Sequence, residues 1–338
     1  MPEDQKFFRY FSILHLTLIV LLLSCFLLNT FIDPLWYWKG NQLTHINLPS
    51  NERLSKINLF LQEPNNYNCF IFGSSRTTLL NQNEIENFNC FNFSFSSGRI
   101  DEFLAYAEYL KFKGYSPDLV ILGVDEFNFF DKNENNIPDF ILSKKKPQNR
   151  FETALSIGTL QLSIKALLEL KYLPRYYNES FTVSLFEPLP FYKPELTKTG
   201  KTHKNKIYNL DNYLKFRHIF ENATYIAYAP PISAWRVYDL FRQDKIESYL
   251  KAMYHISTIY RPFYDFTIPS KVTTNKNVTY DGSHYILSIN KLITTTINKK
   301  INSFGLQVDK LTRAEYKQHY FNAIKKFEKK FIAHKKYI

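Results

Sequence analysis

Apolar residues along this chain of 338 residues fall into three patterns, each predicting a different kind of element. The first is one unbroken block, residues 11–32, with no Asp, Glu, Lys or Arg. At ~1.5 Å per residue such a block makes about 33 Å of helix, enough to cross a hydrocarbon core. The second pattern is a set of short runs at 67–72, 89–95, 118–124, 222–229 and 262–267. Several of these are continuously apolar or aromatic, as strands covered by helices on both faces are. The third is helical periodicity, clearest over Asp101–Phe112, Arg236–Ile259 and residues 286–301.

Strands alternating with helices predict an α/β fold, a doubly wound parallel sheet of about five strands in flavodoxin-like order with right-handed crossovers. The interval 130–216 between the third and fourth strands exceeds an ordinary crossover and is read as an insertion. It holds a helical stretch from Phe151 to Leu173, then a polar and basic segment with Lys198, Lys201, His203, Lys204 and Lys206. Segments of this length serve as lids, binding elements or solvated insertions. The organisation that follows is a tail over 1–10, a membrane segment over 11–32, a linker over 33–62, a main domain over 63–305 and a basic amphipathic C-terminal helix over 306–338.

Charge adds a direction to this layout. Lys6 and Arg9 precede the apolar block and only Lys39 follows it closely, so the positive-inside rule puts the short tail in the cytoplasm and the main domain outside the inner membrane. Pro34, Trp36, Tyr37 and Trp38 are expected to form an aromatic belt at the outer face. No small-residue cleavage site follows the block, and the apolar run continues past Cys25, so an uncleaved single-pass anchor is expected. The formal net charge is +12, and residues 310–338 hold nine Lys or Arg against two Glu, which supplies +7 of it. Tyr316, Tyr320, Ile324, Phe327 and Phe331 recur at helical spacing and form one apolar stripe, expected to pack on the main domain, with anionic lipid as the alternative. An outward-facing domain excludes nucleic acid as a partner and leaves anionic glycans or headgroups. With 45% hydrophobic and 17% aromatic residues the core is ample. Three cysteines are too few for a disulfide scaffold. Cys69 and Cys90 occupy equivalent places in neighbouring strands, where an oxidising compartment would allow a bridge; adjacent strand positions often miss disulfide geometry, so two buried thiols are expected. No metal-ligand spacing and no phosphate-binding glycine loop occurs, so neither a metal nor a cofactor is expected.

The chemistry concentrates at strand ends. Gly73-Ser74-Ser75-Arg76 directly follows the run Cys69-Phe70-Ile71-Phe72, and Asp281-Gly282-Ser283-His284 precedes the last helix of the domain. A serine at the carboxyl edge of a parallel sheet sits where such sheets place their chemistry, but an alcohol is a weak nucleophile until a base takes its proton. Asp281 and His284, three apart in one turn, can supply that base and the carboxylate that orients it.

These two blocks resemble the SGNH (GDSL-type) hydrolase superfamily, whose first block is Gly-Asp-Ser and whose last is Asp-x-x-His. The resemblance implies that Ser75 is the nucleophile, that Ser74 stands where the family has aspartate, that His284 is the general base and that Asp281 orients it. It further implies an oxyanion hole from the amides of Ser75 and Gly98, the latter in Phe93-Ser94-Phe95-Ser96-Ser97-Gly98. The third block, Gly123-Val124-Asp125-Glu126, departs from the family's Gly-x-Asn-Asp: Asp125 stands in place of the asparagine, with Asn128 nearby as a substitute donor. An ionised carboxylate cannot donate to an oxyanion. Membrane-anchored members that acylate bacterial cell-surface polymers similarly open with Gly-Ser-Ser or Gly-Thr-Ser. The implied function is a serine O-acyltransferase or esterase acting on an extracytoplasmic glycan or polymer, partnered for transfer by a polytopic membrane acyltransferase. The alternative is a catalytically silent glycan-binding or assembly protein. Arg76, Trp235 and Arg236 are candidate substrate contacts at the rim, Trp235 and Arg236 because they follow Pro230-Pro231 at the end of the fourth strand.

Overall fold

The computed structural model describes residues 3–130, 136–168, 173–197, 209–300 and 304–333. The chain divides into two compact units, one of residues 1–63 with 146–186 and the other of residues 64–145 with 187–338. Among the described residues the strands, numbered along the chain, are β1 (Cys69–Phe72), β2 (Cys90–Asn92), β3 (Leu119–Gly123), β4 (Arg175–Tyr177), β5 (Val183–Leu185), β6 (Thr224–Ala229), β7 (Phe263–Asp265) and β8 (Leu306–Gln307).

The larger unit is α/β, built on a six-stranded sheet in the order β2-β1-β3-β6-β7-β8. The first five are parallel and fall on the five predicted runs; the two-residue β8 pairs antiparallel with β7 and is too short to show as a run. Because side chains alternate along a strand, each run feeds two cores. Cys69 and Ile71 pack with Leu119, Ile121, Ile226 and Tyr228 under Ile293 and Ile297 of the helix Leu287–Lys299. Phe70 and Phe72 face the other way, onto Phe220 and Phe216 at ring separations of 5.8 and 5.2 Å, and Phe72 also meets Phe103 of the helix Ile100–Phe112 at 6.1 Å. Each such side chain taken fully from water contributes about 1.5–3 kcal/mol, which is why a four-residue strand suffices. Cys69 lies opposite Cys90 in the β1–β2 register with Cα atoms 4.2 Å apart, and the two form a disulfide. That corrects the expectation of two free thiols: both sulfurs point into the same face of the sheet.

The C-terminal helix Arg313–Phe327 begins at Thr312, whose hydroxyl accepts from the Glu315 amide while the Glu315 carboxylate accepts from the Thr312 amide. Such a box contributes about 1 kcal/mol. Its stripe Tyr316, Tyr320, Ile324 and Phe327 is buried on the domain. The hydroxyls of Tyr316 and Tyr320 both donate to the buried carboxylate of Asp265, at the end of β7, which fastens the helix to the sheet.

The smaller unit contains the helix Glu3–Ile32, in which an 18-residue stretch reaches a mean hydropathy of 2.6, so the helix is long and apolar enough to cross a membrane. Its carboxyl end packs on the helix Ile157–Leu167. There Asn29 donates to the Ala154 carbonyl at 2.8 Å and accepts from the Ser163 hydroxyl at 2.8 Å. The predicted linker 33–62 is instead folded: Asp33 accepts from the amides of Tyr37, Trp38 and Gly40 at 2.8–2.9 Å, and the helix Glu52–Phe60 buries Ile57 and Phe60. Trp36 is buried against Phe181 at 5.0 Å, so it is not part of an exposed aromatic belt. The predicted insertion is likewise divided: among the described residues, 146–168 and 173–186 fold with the N-terminal segment, and 187–197 and 209–216 with the larger unit. Among the described residues, the helical stretch expected from Phe151 to Leu173 is two helices, Arg150–Ala154 and Ile157–Leu167, interrupted by Ser156, whose hydroxyl caps the second. Lys198, Lys201, His203, Lys204 and Lys206 lie outside the described residues.

Candidate active site

The site is assembled at the carboxyl ends of β1, β3 and β6. After Phe72 the chain turns at Gly73, and β3 ends at Gly123; Thr77 fills the space between them. A Cβ at Gly73 would lie 2.3 Å from the Thr77 hydroxyl, and one at Gly123 would lie 2.0 Å from it. Neither position accepts a side chain, and Tyr228 of β6 holds Thr77 from below with a 3.2 Å hydrogen bond. The consequence is a tight turn in which the two serines part company. Ser74 is wholly buried, and its hydroxyl accepts from the Arg76 amide at 3.2 Å; Ser75 is partly exposed.

Across the sheet edge, the turn Thr279–Tyr285 presents the histidine. Gly282 is in the left-handed region at φ +76°, and Thr279 ties the turn by accepting from the Gly282 amide at 2.9 Å and donating to the His284 carbonyl at 2.7 Å. Asp281 Oδ1 accepts the amides of Ser283 at 2.8 Å and His284 at 2.7 Å. Its Oδ2 lies 2.6 Å from His284 Nδ1, and His284 Nε2 lies 2.8 Å from Ser75 Oγ. With the ring proton on Nδ1, His284 donates to Asp281 and accepts from the Ser75 hydroxyl. Burial pushes the Asp281 carboxyl up, but the hydrogen bond and charge of His284 together with the two amides outweigh it and bring it down to about 2. Ser75, His284 and Asp281 are thus brought together in one line of hydrogen bonds.

The other predicted site residues divide differently. Arg76 turns inward: Nε donates to Ser283 Oγ at 3.0 Å, Nη1 to Asp125 at 3.0 Å, and both Nη groups engage the Glu126 carboxylate. It is a buried clamp between the turn after β1 and the turn Thr279–Tyr285, and not a rim contact. Burial pushes the Asp125 carboxyl up, opposed by Arg76; for Glu126 the same burial is outweighed by the guanidinium, which holds it below its ordinary range. Among the described residues it is Asp281, not Asp125, that accepts from the His284 ring. The Gly98 amide donates to the Phe95 carbonyl at 3.0 Å, so it is engaged within its own turn and is not a free oxyanion donor. Glycine is required there for another reason, since a Cβ would meet the Gly73 carbonyl at 2.8 Å. Two donors remain. No acceptor among the described residues takes the Ser75 amide. Asn128 accepts the Ile100 amide at 3.1 Å, while its Nδ2 is buried with no partner among the described residues.

No protein-family model, curated protein or solved structure matches the chain. The residues around the triad therefore carry the reading. Trp235 is buried edge-on against Phe327 at 5.1 Å and beside Phe331 at 5.6 Å, which removes it from the rim. Arg236 is exposed, and its Nη2 sits 3.5 Å from the Asp281 carbonyl, so it is the candidate rim residue that the structure does place beside the triad. Two neighbours carried no sequence signal. Tyr280 lies parallel to the His284 ring at 5.5 Å, and Tyr192, from a stretch without periodicity, covers Gly282 so closely that a Cβ there would lie 2.4 Å from its ring. Among the described residues no group of three or more His, Cys, Asp or Glu is placed to hold a metal ion.

Proposed function

We propose that the protein is a membrane-anchored serine acyl-transfer enzyme of SGNH type, acting on an acyl ester of an extracytoplasmic glycan or polymer. The observation that carries the reading is the continuous relay Ser75–His284–Asp281, at 2.8 and 2.6 Å. Support also comes from the parallel order β2-β1-β3-β6-β7, with the serine after β1, and from the exposed apolar helix Glu3–Ile32 with Lys6 and Arg9 at its start. In this reading Ser75 Oγ attacks the acyl carbonyl as His284 Nε2 takes its proton, and Asp281 stabilises the imidazolium. The oxyanion is met by the Ser75 amide, with Asn128 Nδ2 as the candidate second donor. Collapse expels the alcohol, which recovers the proton from His284, and leaves an acyl ester on Ser75. Water, or an acceptor hydroxyl, then enters by the reverse proton path and releases Ser75. Transfer outside the membrane requires an acyl donor delivered there, which is the role assigned to a polytopic membrane partner.

The engaged Gly98 amide favours a second reading, a glycan-binding or assembly protein that keeps the fold without turnover. One experiment separates the two. The full chain in detergent is assayed on a small activated acetyl ester, beside Ser75→Ala and Ser74→Ala. Loss of the nucleophile is expected to remove activity by several orders of magnitude, whereas Ser74→Ala, a buried non-reacting position, keeps most of it. Absence of hydrolysis in a folded wild-type chain, or equal loss in the two variants, rejects the enzyme reading.

A further inference from the structure

The C-terminal helix Arg313–Phe327 has used its apolar stripe against the domain, with Tyr316 and Tyr320 fully buried, so no apolar face is left for a bilayer. What it turns outward is basic. Between this helix, the turn 328–332 and the loop 268–274 lies a cavity of about 500 Å³. Its walls include Lys271, His319, Lys326 and Lys330, together with the rings of Phe327 and Phe331, and no Asp or Glu among the described residues lines it. The two glutamates of this segment are engaged elsewhere: Glu315 caps the helix start and Glu328 accepts from the Tyr238 hydroxyl. His319 lies about two turns before Lys326, and Lys330 about one turn after it, so the three line the same side of the groove, with Lys271 supplied by the loop. Phe331 leans on Trp235 at 5.6 Å, Trp235 on Tyr192 at 6.4 Å, and Tyr192 covers Gly282 beside Asp281. Groove and catalytic turn are therefore joined by packed rings within one unit.

We propose that this groove holds a polyanionic chain, a polymer with carboxylate or phosphate groups at regular intervals. Three lysines beside aromatic walls, with no carboxylate among the described lining residues, complement repeated negative charge, and a concave cavity suits a chain better than a flat lipid surface. Taken with the acyl-transfer reading, on which this step rests, the groove is where the acceptor or acylated polymer is held while one of its esters reaches Ser75. The binding itself does not require that reading.

The test uses the full chain in nanodiscs of zwitterionic lipid, carrying Ser75→Ala so that turnover plays no part, and measures binding of fluorescent polygalacturonate, polyphosphate and uncharged dextran. Lys326→Gln/Lys330→Gln is compared with Lys325→Gln/Lys329→Gln, which removes the same charge from the same helix outside the groove. The groove pair is expected to weaken binding of at least one polyanion about tenfold and to lower the slope of log Kd against log salt by about two, with the control pair nearer wild type. Dextran is expected not to bind. Equal losses in both pairs, or no binding of either polyanion, overturn the proposal. So does groove-pair-sensitive binding to vesicles of anionic lipid without binding to the polymers, which would assign the groove to a membrane. Because Ser75→Ala is present throughout, failure here and failure of the catalytic reading are read separately.

Discussion

Two clusters of charge meet at the edge of the sheet, and they are built on opposite principles. In the turn Thr279–Tyr285, Asp281 and His284 are partly exposed, and the chain of hydrogen bonds ends on a serine hydroxyl that no other described residue engages. Beside it and buried, Arg76, Asp125 and Glu126 are closed on one another and on Ser283. The open cluster can pass a proton to something outside the protein; the closed one can only hold its own parts in place. Ser283, adjacent to His284, accepts from Arg76, adjacent to Ser75, so the closed cluster sets the spacing of the open one.

The largest effect that would break this contrast lies in the open cluster. His284→Ala is expected to lower ester hydrolysis on the order of 10⁶-fold, and Asp281→Asn on the order of 10⁴-fold, because an unoriented imidazole is still a base. Both variants should stay folded, with a modest fall in melting temperature for Asp281→Asn at neutral pH, because Asp281 also accepts the Ser283 and His284 amides. A large fall in stability with little loss of rate would reverse the roles assigned to the two clusters.

Arg76→Ala, by contrast, should act on the fold. It leaves two buried carboxylates without their cation, a change that costs about 3–5 kcal/mol, read as a lowered midpoint in urea. Activity falls with it because the Ser75 and His284 turns lose their tie. Arg76→Lys should recover part of the stability but not the fork to Glu126.

Much of this architecture was legible from residues alone, for reasons that differ by element. The five parallel strands show as apolar runs because helices cover both of their faces, and Ser75, Asp281 and His284 stand out because they follow or precede such runs. Arg76 was singled out as a substrate contact and not as a clamp, because nothing in a sequence distinguishes a guanidinium that turns inward to two acids 49 and 50 residues away from one that meets solvent. The same is true of Tyr192 over Gly282, of Trp36 against Phe181, and of the fold of residues 146–186 with the N-terminal segment: each depends on a contact between distant, locally unpatterned stretches. Gly98 was found for the wrong reason, its glycine being required by the Gly73 carbonyl and not by a free amide.

A smaller effect separates the two aspartates by pH. Asp281 is lowered from 3.8 to about 2, so the stability it contributes is present above pH ~4 and is lost as pH falls through about 2. Asp125 is raised, so its contribution has the opposite sign, being more favourable in acid and lost as pH rises through its elevated value. In stability–pH curves, Asp281→Asn should narrow the gap to wild type between about pH 4 and 2, whereas Asp125→Asn should cost nothing at neutral pH and preserve or raise activity. Severe loss of rate in a folded Asp125→Asn would mean that Asp125, not Asp281, serves His284.

The central claim is that Ser75 carries the acyl group. It is tested most directly by mixing the full chain with an activated acyl ester, quenching in acid before deacylation is complete, and mapping the modified peptide by mass spectrometry. The account predicts acylation on Ser75, none on Ser74, and none on either in His284→Ala. An acyl group on another residue, or steady ester turnover with Ser75 always unmodified, would contradict it.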